Sequence, residues 1–435
     1  MTTKNKEQLP MGVGRVTTGW LVFVGLALVG VIIGVIGFIV EHSQGMVATG
    51  MRDLGVGQGA TWGTYISVVV YFVGVSFAGI TVAALIRLFN IEKLRGVARM
   101  AELLSVVALI LGALAIIVDL GQPLRGLTNL FRYARPQSPF FGTFTLVISG
   151  YLFASATYLY LTARRDAATL AERDSGLRGF FRFWAAGYED TPDQRDRDRN
   201  TSFWLALAIL PLLVVAHSSL GFVFGLQVGR PGWFGTLQAP AFVVLAAVSG
   251  VGNLIILAAI IRKAVKAQDR IRIAAFSWLG RFLMLALFAY LYFVVVEILT
   301  LLYQPSVAEQ ALSEALLTGE YAWIFWGSIA AFVVPLAMLT WMAITRSWNV
   351  SWLVTAGVLV NLGAIGKRYL IVVPSQTHGQ LLPYGIGSYN PTWVEYAVIL
   401  GLFSLGALMI ALFMKVFPII ELEEKQPAEH EEVTV

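Results

Sequence analysis

The chain has 435 residues, of which 57% are hydrophobic and 13% charged, and a formal charge of +5. A water-soluble domain carries about a quarter charged residues, so water is not the main solvent of this chain. Cysteine is absent, which excludes disulfides, covalently held c-type haem and cysteine-ligated iron–sulfur clusters within it.

A helix that crosses a bilayer needs about 20 apolar residues. Ten stretches qualify: 18–40, 62–86, 100–119, 139–163, 202–226, 238–261, 277–303, 321–345, 350–372 and 393–417. The first run, Trp20 to Val40, is too long for the apolar core of a signal peptide. Glu41-His42-Ser43 follows it instead of a small-residue cleavage site, so it reads as a retained span. The eighth and ninth spans are joined only by Thr345 to Asn349 and must form a tight hairpin. The expected architecture is all-α, with spans two to five and six to nine forming two four-helix bundles flanked by spans one and ten. Small residues within the spans, such as Gly74, Ser76, Ala78 and Gly79, let helix backbones approach closely in lipid.

Lysine and arginine set the orientation. With the N-terminus inside, the inside segments hold 24 of these residues and the outside segments 7. That asymmetry places both termini in the cytoplasm. Residues 1–17 form a cytoplasmic N-terminal segment and 18–417 the membrane domain. The inside loop 164–200 contains Gly176 to Tyr188, where Leu177, Phe180, Phe181 and Trp184 share one helical face, as in a helix lying among lipid headgroups. Asp193 to Arg199 reads as a solvated connector. The acidic segment 418–435 reads as a disordered tail.

Ionisable groups within a membrane are costly, so each asks for a reason. Asp119 closes the third span at its outer end. His217 lies about 12 Å inside the outer end of the fifth, at 1.5 Å per residue, and is the only histidine within a span. Glu297 lies about two turns inside the outer end of the seventh, and Tyr65 one turn into the second. A b-type haem takes two axial ligands, usually histidines on facing helices, and one histidine does not supply them. No metal site is expected. A quinol, by contrast, gives up two protons and two electrons, and needs hydrogen-bond partners and a titratable base. Histidine titrates near neutrality, and a nearby carboxylate favours its protonated form. Plainer roles fit the same residues. Asp119 also suits a turn cap or a pair with Arg125, and His217 a hydrogen bond between helices. Glu297 suits a pairing with Lys367 or Arg368, and Tyr65 and Trp62 an interfacial belt. Tyr158, Thr157, Ser149 and Thr145 mark a polar file on the fourth span, suited either to proton movement or to helix packing.

Several loops resemble a known family. Asp119-Leu-Gly-Gln-Pro-Leu-Arg125 resembles the Asp-Leu-Gly-x-Pro motif of the NrfD family, the polysulfide-reductase-type membrane subunits. His217-Ser-Ser-Leu-Gly-Phe-Val-Phe-Gly, running on to Arg230-Pro-Gly-Trp-Phe and Gln238-Ala-Pro-Ala-Phe242, is similar to that family's fifth-to-sixth helix junction. Lys367 to Pro374 and Tyr389 to Glu395 are similar to its ten-helix subgroup. That subgroup includes membrane subunits of sulfite-reductase-associated and Hmc-type complexes and of alternative complex III. The resemblance implies a bacterial inner-membrane subunit that holds no haem or iron–sulfur cluster. It also implies a menaquinone or ubiquinone site near the outer face and electron exchange with an iron–sulfur partner subunit. Further catalytic or multihaem cytochrome c subunits would lie beyond that partner. Asp119 and His217 match positions that the family places around the quinol pocket, and they would handle protons there. Beside them, this chain's Tyr65, Gln122 and Arg125 are expected to shape the quinone site, with Glu297 a polar group of the second bundle. The complex III relatives carry an acidic residue just after the histidine motif, where this chain reads Phe222-Val223-Phe224. A secondary transporter and a purely structural membrane anchor are the rival readings from composition alone.

Overall fold

The computed structural model describes residues 12–52, 60–133, 135, 137–138, 143–172, 176–303, 306–378 and 387–422, with no strand among them. Most of the N-terminal segment and most of the acidic tail lie outside the described residues. The helices run, in chain order, α1 (Thr18–Gln44), α2 (Thr64–Phe89), α3 (Ala98–Asp119), α4 (Pro123–Tyr133), α5 (Thr145–Ala171), α6 (Arg178–Ala185) and α7 (Pro192–Gly225). They continue as α8 (Gln238–Ala264), α9 (Ile273–Leu302), α10 (Val307–Leu317), α11 (Ala322–Ile344), α12 (Val350–Val372), α13 (Pro374–Thr377) and α14 (Trp393–Val416). Ten of these, namely α1, α2, α3, α5, α7, α8, α9, α11, α12 and α14, are long and apolar enough to cross a membrane. They match the ten stretches expected from hydropathy.

Two rings of four helices emerge from the packing. In the first, α2 and α5 each pack against both α3 and α7; in the second, α8 and α11 each pack against both α9 and α12. The rings join where α2 packs against α8 and α12. A polar knot pins that seam near mid-span. Tyr71 donates to Asn361 Oδ1 at 3.0 Å, and Asn253 Nδ2 reaches Tyr71 Oη at 3.1 Å and Asn361 Oδ1 at 2.5 Å. Helices α1 and α14 form a pair outside the rings. A Cβ placed on Gly34 would stand 2.5 Å from Gly401 Cα, so only glycine allows this contact. The outer face of α1 carries Leu26, Ile32 and Ile39, exposed as lipid-facing side chains are.

The helix ends differ from expectation in ways that matter later. Helix α7 starts at Pro192, so Asp193 to Arg199, expected as a solvated connector, form its first turns and stay mostly exposed. Thr191 caps it by accepting from Gln194 N, and Pro192 supplies a preset first residue. Helix α5 runs to Ala171, well past the apolar run. Two short helices, α4 and α10, fold segments that sequence left as loops; α10 carries a Ser306/Glu309 capping box. Helix α6 lies inside the amphipathic stretch, but Phe181 is buried, and Phe180 and Trp184 pack on Phe417 at ring-centroid distances of 5.7 and 5.0 Å. Phe417 to Ile420 are themselves buried, so the first residues of the expected tail belong to the folded domain.

Candidate functional site

We refer to the end of the bundle holding the start of α2 and the close of α3 as the Tyr65 end, and to the other as the Arg99 end. Tyr65 is fully buried and donates to Glu41 Oε2 at 2.7 Å. Glu41 lies at the end of α1, is 1% exposed, and its Oε1 has no hydrogen-bond partner. Beside it stands a second buried carboxylate, Glu395, at the start of α14. Glu395 accepts from Gly50 N at 2.8 Å, Thr392 N at 2.9 Å, Thr64 Oγ1 at 3.1 Å and the Tyr389 hydroxyl. Burial, and then the neighbouring Glu395 carboxylate, hold the Tyr389 phenol well above its ordinary range. One carboxylate is thus saturated with donors, while the other keeps an open oxygen.

Asp119 lies at the same end. It is half-buried, with Oδ1 turned away from solvent. Gly121 then takes a left-handed turn (φ +65), and a Cβ there would meet the Met46 side chain at 3.0 Å. The Asp119 turn and the segment following α1 therefore touch. Gln122 and Arg125 are exposed at the start of α4.

His217 is deeper. It is 1% exposed, with Nδ1 2.8 Å from Leu213 O and Nε2 2.8 Å from Val73 O on α2. The Phe77 ring meets it edge-on at 5.0 Å. Both ring nitrogens face carbonyl oxygens, and only the doubly protonated ring donates at both. Gly112 of α3 packs against Val73, which places Asp119 about 10 Å further along the bundle than His217, at 1.5 Å per residue. The two groups share one ring but are not in contact.

From His217 a column of buried polar side chains runs toward the Arg99 end. Tyr151, Ser155, Tyr158, Thr162 and Asp166 line one face of α5, all buried. Tyr151 donates to Ser76 O at 2.9 Å and Ser105 to the same oxygen at 2.6 Å. Thr162 Oγ1 donates to Glu102 Oε2 at 2.6 Å. At the foot, Arg99 pairs with Asp166, donates to Thr162 O at 2.7 Å and reaches Pro418 O at 3.3 Å. Of the polar file read from sequence, only Tyr158 belongs to this face. Ser149 is exposed, and Thr145 and Thr157 are half-buried, because the face that points inward is the one set by Tyr151.

Glu297 pairs with Lys367 at 2.7 Å in the second ring, one of the two cations expected for it. The loop motifs also meet one another. Trp233 donates its indole N–H to Ile371 O, Ser375 donates to Pro231 O, and the Arg368 guanidinium lies over the Phe242 ring at 4.1 Å.

Residues 54–379 match the family model described as Polysulphide reductase, NrfD. The chain belongs to the NrfD family. A Halobacterium salinarum relative, provisionally named as a membrane subunit of dimethyl sulfoxide reductase, is 31% identical over 93% of this chain and 92% of its own length. A relative from Mesobacillus selenatarsenatis, named as a subunit of selenate reductase, is 25% identical, covering 92% of this chain and 94% of the relative. The Hdr-like menaquinol oxidoreductase integral membrane subunit of Archaeoglobus fulgidus is 24% identical, covering 89% and 90%. These matches and the ten spans make this NrfD chain a multi-pass integral membrane protein.

Sequence reasoning overlooked Glu41, Glu102, Arg99, Asp166 and Glu395. All five sit within a turn of a span boundary and look like ordinary flanking charges. The signal available was the spacing 151, 155, 158, 162, 166, a polar stripe at helical period on an otherwise apolar helix.

Proposed function

We propose that this chain is the quinone- or quinol-interacting membrane subunit of a multisubunit oxidoreductase in the cytoplasmic membrane, with both termini inside. The relatives support the setting: two are named as subunits of reductases and one as part of a menaquinol oxidoreductase. The observation that carries the reading is the column of buried polar groups, which begins at His217 and ends at the Arg99–Asp166 pair. Such a column is costly in lipid unless its members satisfy one another, and it suits the movement of protons.

Oxidation of a quinol breaks two O–H bonds and releases two electrons. The electrons go one at a time to an iron–sulfur partner subunit, with catalytic or multihaem subunits beyond it, because this chain offers no thiolates of its own. The protons go to groups of this chain. Asp119, with Tyr65 and Glu41 nearby, serves the Tyr65 end, and Gln122 and Arg125 form the rim. His217 serves the head of the column, where gaining a proton completes both of its hydrogen bonds. Asp119 and His217 therefore work at two depths, not as one hydrogen-bonded pair. Quinone reduction uses the same groups in reverse. Proton transfer down the column through Tyr151, Tyr158, Thr162 and Glu102 would couple the reaction to proton translocation.

The test is quinol oxidation by the purified complex carrying Asp119→Asn or His217→Gln. Each change is expected to lower turnover about 10²-fold or more, the usual scale of a general acid–base contribution, with the complex still assembled. Turnover equal to wild type in both variants removes the two residues from the mechanism.

A further inference from the structure

Helices α8 and α12 approach most closely where two glycines face each other. A Cβ on Gly357 would stand 2.8 Å from Gly252 O, and one on Gly252 3.2 Å from Gly357 O, so side chains there would push the pair apart. Seven residues further toward the Arg99 end, at Ala259 and Val350, the helices have parted. A groove of about 540 Å³ lies between them, within the range of about 300–1,000 Å³ that small-molecule sites occupy.

Arg262, Lys263, Gln268, Ser351 and Thr355 line this groove over a floor of Ala259, Val350 and Val354, and no carboxylate among the described residues lines it. Helix α8 ends at Ala264 and α12 begins at Val350, which puts the polar lining at the ends of two spans. Arg262 is half-buried and held by the turn after α8, its Nε donating to the buried Ile271 at the carbonyl oxygen, 3.0 Å away. That bond fixes the guanidinium and leaves its two terminal nitrogens to point elsewhere. Lys263 and Gln268 are exposed. On α12 the first amides are already used, because Asn349 Oδ1 accepts from Ser351 N at 2.8 Å and Trp352 N at 3.3 Å. What that helix offers the groove is hydroxyls, those of Ser351 and Thr355.

The exposed stripe of α12 changes character along its length. Ser351 and Thr355 begin it at the Arg99 end, and Val358 and Leu362, 43% and 60% exposed, carry it into the span. Their helical spacing puts all four on one face. A ligand lying along this face meets cations and hydroxyls at the bilayer surface and hydrocarbon below, the order of groups in a phospholipid. Two cations without an anion repel the ammonium of a zwitterionic headgroup and attract a headgroup of net negative charge.

We propose that the groove between α8 and α12 binds an anionic, hydroxyl-bearing phospholipid of the phosphatidylglycerol type. Its phosphodiester sits between Arg262 and Lys263, and one acyl chain runs along Val358 and Leu362. The site lies at the opposite end of the bundle from Tyr65 and Asp119 and makes no use of a quinone.

The probe is phosphatidylglycerol with a photoreactive diazirine on one acyl chain, photolysed with the intact complex in phosphatidylcholine vesicles and mapped by peptide mass spectrometry. Label is expected on residues 355–362, removed by excess unlabelled phosphatidylglycerol and not by phosphatidylethanolamine. Lys263→Gln is expected to lower it about fivefold, and Arg262→Gln with Lys263→Gln about twentyfold or more, the scale of one and two cations at a membrane surface. Lys266→Gln removes a charge from the same turn outside the groove and should leave the label unchanged. Thr355→Trp fills the groove with both cations in place and should abolish the label, so it reads the site should the double variant fail to assemble. Equal competition by phosphatidylethanolamine, or an equal loss in Lys266→Gln, means ordinary boundary lipid and overturns the site. Removal of the label by inorganic phosphate assigns the groove to a free anion. Label that appears only after the partner subunits are stripped away means that a protein covers the groove. Either result overturns the lipid.

Discussion

The two four-helix rings close by the same neighbour scheme and are filled by different chemistry. The first ring encloses His217, Tyr151, Ser155, Tyr158, Thr162, Glu102, Asp166 and Arg99 in one column. The second encloses Leu279, Leu283, Leu287, Phe332, Leu339 and Leu353, none more than 2% exposed, and its buried charged groups, Lys367 and Arg368, lie toward the Tyr65 end. Lipid tails are as apolar as leucine, so an apolar ring interior gains its stability from close packing alone. A polar interior has to supply its own hydrogen bonds, because the surrounding lipid offers none. The first ring is therefore organised around a route and the second around a scaffold.

Breaking the foot of the column should show the largest effect. Asp166→Ala takes the salt-bridge partner from the buried Arg99, leaving the more distant Glu421 and Glu102 carboxylates to offset its charge, and is expected to cost about 3 kcal/mol, read as a lowered thermal transition of the purified protein in detergent. The double change Arg99→Met with Asp166→Leu restores most of that loss, because it removes both charges. A double variant as unstable as the single one would show that volume, not charge, governs this end. The α1–α14 pair outside both rings comes next. Gly34→Val pushes a side chain into Gly401 and should cost about 1–3 kcal/mol, with both rings left intact by proteolysis mapping. Protection lost throughout the rings would mean that the outer pair holds them together.

One substitution made in each ring sharpens the contrast at smaller scale. Tyr151→Phe removes a donor to Ser76 O and is expected to cost about 1 kcal/mol and to lower protons moved per electron. Tyr290→Phe in the second ring should stay within about 0.5 kcal/mol and leave proton coupling unchanged. Equal effects on coupling would erase the distinction between route and scaffold.

Much of this architecture was legible in the sequence, and its gaps have physical causes. Ten spans follow from apolar run length, and Lys367 is one of the two cations, with Arg368, that the sequence offered to Glu297. What sequence cannot say is which face of a lipid-embedded helix turns inward, since apolar residues cover both faces. That is why Thr145, Ser149 and Thr157 drew attention while the enclosed face carried Tyr151, Ser155, Thr162 and Asp166. Helices also outrun their apolar segments. Asp166 and Arg99 were left with the loops because hydropathy ends at about 163 and begins at about 100, whereas α5 continues to Ala171 and Arg99 lies in the first turn of α3. The partner of His217 is a backbone carbonyl 144 residues away, and no side-chain pattern encodes it. Tyr65 was visible, but its partner Glu41 looked like the end of a span.

The smallest expected effect lies at the exposed end of the scaffold ring. His378 follows α13, is 6% exposed, contacts Thr377 Oγ1 at 3.1 Å and faces the Tyr321 ring at 6.1 Å. Burial lowers its proton affinity below the ordinary histidine value of 6.5, opposed by the Glu320 carboxylate. Above pH 6.5 the ring is neutral whether the protein is folded or unfolded, so it adds no pH dependence. As pH falls below 6.5 the unfolded chain takes up the proton first, and the folded state loses stability until the buried ring protonates as well. His378→Gln removes this slope. Melting temperatures in detergent between pH 8 and 5 should therefore fall about 0.5–1 °C further for the wild type than for the variant. Parallel curves would mean that His378 takes up its proton alike in the folded and unfolded chain, with Glu320 balancing burial, and a slope of the opposite sign would mean that Glu320 outweighs burial.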